Sequence, residues 1–404
     1  MNKINRYTIL AIVLLLTWSV LSASNENDFD IFLDAGMKLN QRINFYLPPF
    51  KYDLPYLYSP FFALLLSPFS YLPFGIIEFF WMLFMFYSLY DLWKMSKPYF
   101  NLQILTQSQL KFWLAATIFY ILTSTLFNIS QVQMTVFICW TVFKCIHLLE
   151  KEKNIFASVL LALIINIKIM PIVFLPYLLY RKYYKAFSYT ILFSLFFIFI
   201  PILFIGYEYH SLLLKSWWGE INPIANKNLL ETEKLYQSVT SAIPVLLTPN
   251  TTSMGLKRNI VDLSLKNAEL IMNLVRVFLI LLTLVFLNSS PFRKSKSKLN
   301  SYWEISYLFL IIPLIFPHQH KYAYFLLLPS LIYIIYFLIV QYKQYSNLLL
   351  FYFLLITIPF TPFIGRDIIG NNLFDLFQFY RIMVFAAILL IPLLYYCHPK
   401  KLIQ

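Results

Sequence analysis

Long apolar runs separated by short polar intervals make up most of the chain. Many approach the ~20 residues that a helix needs to cross a bilayer. Apolar length and lysine/arginine placement together predict about twelve spans. They fall near 7–23, 74–93, 112–127, 132–149, 155–167, 169–180, 186–206, 267–287, 303–316, 322–340, 347–363 and 380–397. The 155–180 stretch reads as two short helices because Lys168 and Pro171 interrupt it. Proline removes a helix hydrogen bond, and a lysine at membrane depth demands a polar partner. The run Phe61–Phe69, bracketed by Pro60 and Pro68, is too short to span and reads as re-entrant or interfacial. Asp28–Gln41 has helical periodicity: Phe29, Phe32, Leu33 and Leu39 share one face, while Asp30, Asp34 and Lys38 share the other. That pattern predicts an amphipathic helix lying at the membrane interface.

Composition supports a polytopic, all-α membrane protein formed as a single domain over 1–404. The chain is 60% hydrophobic and 20% aromatic, whereas a soluble domain has roughly 45–50% apolar residues. Its formal charge is +14, yet no nucleic-acid-binding motif accompanies it. The basic residues cluster instead at Lys3 and Arg6, Lys94 to Lys111, Arg181 to Lys185, Arg293 to Lys298, and Lys400 and Lys401. With twelve spans, all five clusters fall on one side, so both termini are expected in the cytoplasm. The apolar run after Arg6 mimics a signal peptide but is read as an uncleaved first span. A bacterial inner membrane is the default location. Cys139, Cys145 and Cys397 have no metal-site spacing and read as packing residues.

The long polar segments then lie outside, at about 24–73 and 207–266, with shorter turns near 128–133 and 317–321 and a further segment near 364–379. Loops on a rigid frame commonly carry function. Asp28, Asp30 and Asp34 place three acids within seven residues just after the first span, in a chain only 12% charged. A carboxylate there can serve as a general base, or, in the case of Asp28, as a helix N-cap. Asp28 and Asp30 also form an Asp-x-Asp pair, a weak signal for a divalent metal.

The ordered set of polar motifs resembles glycosyltransferase family 87, the polyprenyl-phosphate-dependent mannosyltransferase-like enzymes of the C-type (GT-C) fold. The resemblance runs from Asp28 to about Tyr380. It rests on NDFDIFLDAGMKLNQRINFY, on Tyr58-Ser59-Pro60, and on the turn Ser130-Gln131-Val132-Gln133, which departs from the family's Gly-Gln-x-Asn. It rests further on Lys168-Ile169-Met170-Pro171, Tyr236-Gln237-Ser238-Val239 and Pro317-His318-Gln319-His320-Lys321-Tyr322, where the family's tryptophan is missing.

The resemblance implies a GT-C fold and inverting transfer of a mannose-like hexose from a polyprenyl-phosphate donor to a glycan or glycolipid hydroxyl, on the outer face. Asp28 takes the catalytic acid's position. Asp30, Tyr58, Gln131, Lys168, Gln237, Ser238, His318, His320 and Lys321 become candidates for substrate binding, with the choice between the two histidines open. No metal or other cofactor is called for, because the leaving group is a lipid phosphate. Partners are the donor, the acceptor and the bilayer, with no nucleic acid. Two other classes compete. A transporter or flippase for a lipid-linked or small polar solute would show paired charges within spans and often an internal repeat; Lys168 and Arg276 keep it in view. A surface-polysaccharide polymerase or ligase would rely on basic outer-loop residues.

Overall fold

The structure is a computed structural model that describes Thr17, Leu21, residues 27–222, 235–249, 254, 256–342 and 347–402. Among these residues it is helical, with no strand. The α-helices of seven or more residues, in chain order, are α1 (Asp28–Asn40), α2 (Pro60–Leu66), α3 (Phe74–Ser96), α4 (Gln107–Ser130), α5 (Thr135–Glu150), α6 (Asn154–Ile167), α7 (Phe174–Tyr180) and α8 (Tyr184–Phe199). They continue as α9 (Tyr207–Ile221), α10 (Val239–Leu247), α11 (Leu265–Leu287), α12 (Lys298–Ile315), α13 (Leu328–Val340), α14 (Asn347–Thr357), α15 (Arg366–Phe379) and α16 (Ile382–Tyr396).

Five of the described helical segments are long and apolar enough to cross a membrane: Phe74–Tyr99, Gln107–Ser130, Tyr184–Ile205, Leu265–Leu287 and Lys321–Val340. The bent pair α15 and α16 makes a sixth if it counts as one span. This is fewer than the twelve expected. The stretches 155–167, 169–180 and 347–363 form shorter apolar helices, and the expected first span lies outside the described residues except for Thr17 and Leu21. The segments Tyr184–Ile205 and Leu265–Leu287 leave most of their apolar surface uncovered by protein, as lipid-facing helices do. The break at Lys168 is present. Helix α6 ends at Ile167, Lys168 is extended (φ −140°, ψ 124°), and a short 3-10 turn over Met170–Val173 leads into α7.

The chain divides into two compact units. The first comprises Met1–Met95, Leu126–Ile172 and Tyr183–Ile221; the second comprises Ser96–Thr125, Val173–Lys182 and Asn222–Gln404.

In the first unit, α1 packs on α2, and α6 packs between α5 and α8. Helix α1 begins at Asn27, whose Oδ1 accepts from Asp30 N at 3.1 Å. Its apolar face is covered by protein. Phe29, Phe32, Leu33 and Leu39 are all buried, with Phe32 against the rings of Tyr56, Tyr58 and Phe62 and Phe29 against Trp81. The expectation of an interfacial helix is therefore revised. The period is as expected, but aromatic residues of the following loop, of α2 and of α3 supply the cover. Gly36 makes the crossing possible: a Cβ there would lie 3.0 Å from Ser67 N and 3.1 Å from the Leu66 carbonyl carbon. The second long polar segment, expected to be irregular, contains α9 and α10.

In the second unit, α12 is the central element. Every residue from Tyr302 to Ile315 is buried, as expected for a helix apolar on all sides. It packs against α11, α13 and α16. Tyr307 stacks on Phe286 at 3.9 Å, and Trp303 Nε1 donates to Leu394 O at 2.8 Å. Arg181, counted in sequence as one of a solvent-facing basic cluster, is instead buried. Its guanidinium forks onto Glu304 at 2.7 and 2.6 Å and also donates to Ser289 Oγ and Leu287 O.

Candidate functional site

The first unit gathers four of the sequence-predicted polar residues. Because Asn27 caps α1, the Asp28 carboxylate is not spent on capping. It is half-buried, and its Oδ2 accepts a hydrogen bond from Gln133 Nε2. The Asp28 backbone N–H donates to Gln131 O at 3.3 Å. The turn between α4 and α5 makes both contacts possible: Val132 is left-handed (φ 49°), and Gln133 N donates to Asn128 O at 2.9 Å. Gln131, expected to act through its side chain, thus meets Asp28 through its backbone. Gln133 supplies the side chain. It is 1% exposed, and among the described residues its Oε1 has no partner.

Burial raises the Asp28 carboxyl above the usual aspartate value, while the Gln133 hydrogen bond and then the Lys168 charge pull it back down. Withdrawal from water disfavours the anion, whereas a donor and a nearby cation favour it. Lys168 enters from the break after α6. Its Nζ lies 3.5 Å from Tyr58 Oη and 5.1 Å from that ring's centroid.

The Tyr58-Ser59-Pro60 motif has a local rationale. Ser59 caps α2, accepting from Phe62 N at 3.3 Å, and Pro60 occupies the first helical turn. The Ser59 hydroxyl also donates to Asn166 O beside Lys168, so one motif ties α2 to the broken helix. A proline at a helix start costs no intrahelical bond and presets the backbone.

Asp30 points elsewhere. It pairs with Lys51 at 2.7 Å and accepts from Tyr52 Oη. The Asp-x-Asp pair therefore does not converge on one ligand. Asp34 pairs with Lys38 one turn away at 2.8 Å. Among the described residues no group of three or more histidine, cysteine, aspartate or glutamate side chains could hold a metal.

The second unit gathers the other candidates. Gln237 N donates to Gln319 O at 2.6 Å, tying the QS segment to the histidine turn. Gln237 Nε2 donates to Gln378 O at 3.0 Å, and Tyr324 Oη donates to Gln237 O at 3.1 Å. Ser238 starts α10 in a reciprocal cap with Ser241. Both side chains are thus buried in structural bonds. Tyr236 is the side chain that reaches the turn, with its ring 5.7 Å from His318 and 5.0 Å from His320. His318 is left-handed (φ 57°). Lys321 Nζ lies 4.7 Å from the Phe374 ring centroid and the Arg366 guanidinium lies 4.8 Å from the same centroid. Two cations and two imidazoles near one turn suit an anionic ligand. Arg276 donates to Ile315 O at 2.8 Å and to Asn273 at 3.0 Å, so bonds within the protein account for this intramembrane charge.

The sequence motifs include Gln133 and Tyr236, but the neighbouring Gln131, Gln237 and Ser238 were the expected site residues; Asn166 and Arg366 were missed. The signal for Gln133 was its place at the amide position of the Gly-Gln-x-Asn-like turn.

A family model for glycosyltransferase family 87 matches residues 56–288. No curated protein and no solved structure matches the chain.

Proposed function

The chain belongs to glycosyltransferase family 87, and from that premise we propose that it transfers a mannose-like hexose from a polyprenyl-phosphate carrier to a glycan or glycolipid hydroxyl, with Asp28 as general base. Family membership and the long apolar helices make it a membrane glycosyltransferase. The observation that carries the finer reading is the state of Asp28. This carboxylate is relieved of capping by Asn27, held through one oxygen by Gln133, and biased toward the anion by Lys168. Among the described residues its Oδ1 has no hydrogen-bond donor.

In this reading the acceptor hydroxyl gives its proton to Asp28 Oδ1 as its oxygen attacks the anomeric carbon. The bond from that carbon to the phosphate oxygen breaks, and the electron pair leaves with the lipid phosphate. Base and leaving group on opposite faces of the sugar give inversion. Lys168 compensates negative charge in the first unit. His318, His320 and Lys321 form a separate polar group suited to a sugar or phosphate, on a turn that Gln237 and Ser238 help to hold. The reaction needs no resident metal, since the departing group is a lipid phosphate rather than a nucleoside diphosphate. The proposed setting is the outer face of a bacterial inner membrane, with both termini inside.

The test is sugar transfer by purified protein from synthetic polyprenyl-phosphate sugars. Asp28→Asn should abolish transfer while donor binding persists. Asp30→Asn should retain it, because Asp30 is engaged by Lys51 and Tyr52. A fully active Asp28→Asn protein would end the assignment.

A further inference from the structure

A second site lies in the second unit, where α11 ends and α12 begins. Helix α12 is 18 residues long, ~27 Å at ~1.5 Å per residue, and the histidine turn follows the other end. Here α11 stops at Asn288, which is left-handed (φ 38°) and lies 3.3 Å from His398 Nε2. His398 follows the end of α16. Its ring lies 4.6 Å from Trp303 and its Nδ1 accepts from Lys400 N at 3.1 Å. Lys400 and Lys401 follow His398 by two and three residues, with Lys401 Nζ 3.5 Å from the Tyr396 ring centroid. After burial, the charges of Lys400, Lys296 and Lys401 are what hold its pKa below the ordinary histidine value.

Lys296 and Lys400 are exposed, and among the described residues no acid pairs with either. The nearby carboxylate, Glu304, is engaged by Arg181, Ser295 and Asn300. Apolar surface leads directly into this cluster. Leu281, Leu284 and Val285 on α11 are exposed, as are Leu389, Tyr395 and Tyr396 on α16. The two helix ends meet through Phe286, Trp303 and Tyr395. Exposed cations where two exposed apolar helix faces meet beside tyrosines match an amphiphile with an anionic head.

We propose that Lys296, Lys400, Lys401 and His398 form a binding site for the headgroup of an anionic phospholipid whose acyl chains lie along α11 and α16. A soluble anion would use the cations but gain nothing from the exposed apolar faces. A basic pocket between membrane helices is a recognised setting for acidic lipid headgroups, each lysine near the surface contributing about 1 kcal/mol.

The test is native mass spectrometry of the full-length protein in neutral detergent, titrated with phosphatidylglycerol. Lys296→Gln, Lys400→Gln and Lys401→Gln combined should weaken the tightest lipid adduct on the order of a hundredfold. Arginine at the same three positions should retain it. Glutamine at the exposed lysines Lys94, Lys111 and Lys151 should leave the tightest adduct in place. Equal loss in the two glutamine triples, or no loss in the first, overturns the proposal. Displacement of the lipid by equimolar inorganic phosphate would also overturn it, by showing an anion site indifferent to the acyl chains. The readout is independent of sugar transfer, so it does not stand or fall with the proposed activity.

Discussion

A carboxylate that accepts a proton must be ionised when the acceptor arrives, and Asp28 is held between opposed effects. Burial raises its pKa, and Gln133 and Lys168 lower it. The acid limb of the transfer rate against pH should therefore lie above the ordinary aspartate range, activity being lost as pH falls through that raised value. Gln133→Leu removes the donor that favours the anion, so the limb should move further up. Near neutral pH this variant should be slow, and in alkaline buffer it should recover. Asp28→Asn should recover nowhere, with a loss of roughly 10²–10⁴-fold, the usual contribution of a positioned base. A Gln133→Leu profile that is merely scaled down, with an unmoved limb, would mean that the amide does not act on Asp28. The choice of Asp28 was legible in the sequence. The choice of glutamine was not, because Gln131 and Gln133 are alike as letters. The left-handed backbone at Val132 settles which one sends a side chain to Asp28, and nothing in a valine announces that conformation.

The helix that carries Asp28 is placed by backbone proximity. Gly36 lets α1 lie against the end of α2, where an added Cβ would lie 3.0 Å from a backbone nitrogen. Backbone cannot swing aside as a flexible side chain can. Gly36→Ala should cost about 1–3 kcal/mol, the usual penalty for overpacking, and Gly36→Val should cost more. Thermal unfolding followed by tryptophan fluorescence in detergent would measure this. Wild-type midpoints in both variants would show that the crossing has slack. Periodicity revealed α1, and the lysine-proline pair revealed the break after α6, because both are local features. What covers α1 could not be read from the sequence: an apolar stripe requires a partner without naming it, and Tyr56 and Tyr58 lie some twenty residues onward. Helices α9 and α10 were missed for a related reason, since they sit in a long segment whose average polarity reads as loop.

For the whole molecule, charge placement was read as topology, and Arg181 shows where that reading is incomplete. The sequence assigns it to a basic loop facing water, whereas the fold buries it to 1% exposure against a fully buried Glu304. The two residues are separated by more than a hundred positions, so no window along the chain reveals the pairing. The pair joins the end of α7 to α12, and Arg181 also donates to Leu287 O, at the end of α11, and to Ser289 Oγ just beyond it. Removing one partner leaves the other charge buried and uncompensated, which typically costs 3–5 kcal/mol. Arg181→Met and Glu304→Gln should each lower the unfolding midpoint strongly. The combined Arg181→Met, Glu304→Leu protein should be more stable than either single variant, because neither charge is then stranded. The double variant will still lack a donor for Leu287 O, so recovery should stop short of wild type. Additive losses in the double variant would mean that the two side chains contribute separately. Recovery would identify the pair as a coupled clasp holding α7, α11 and α12 together.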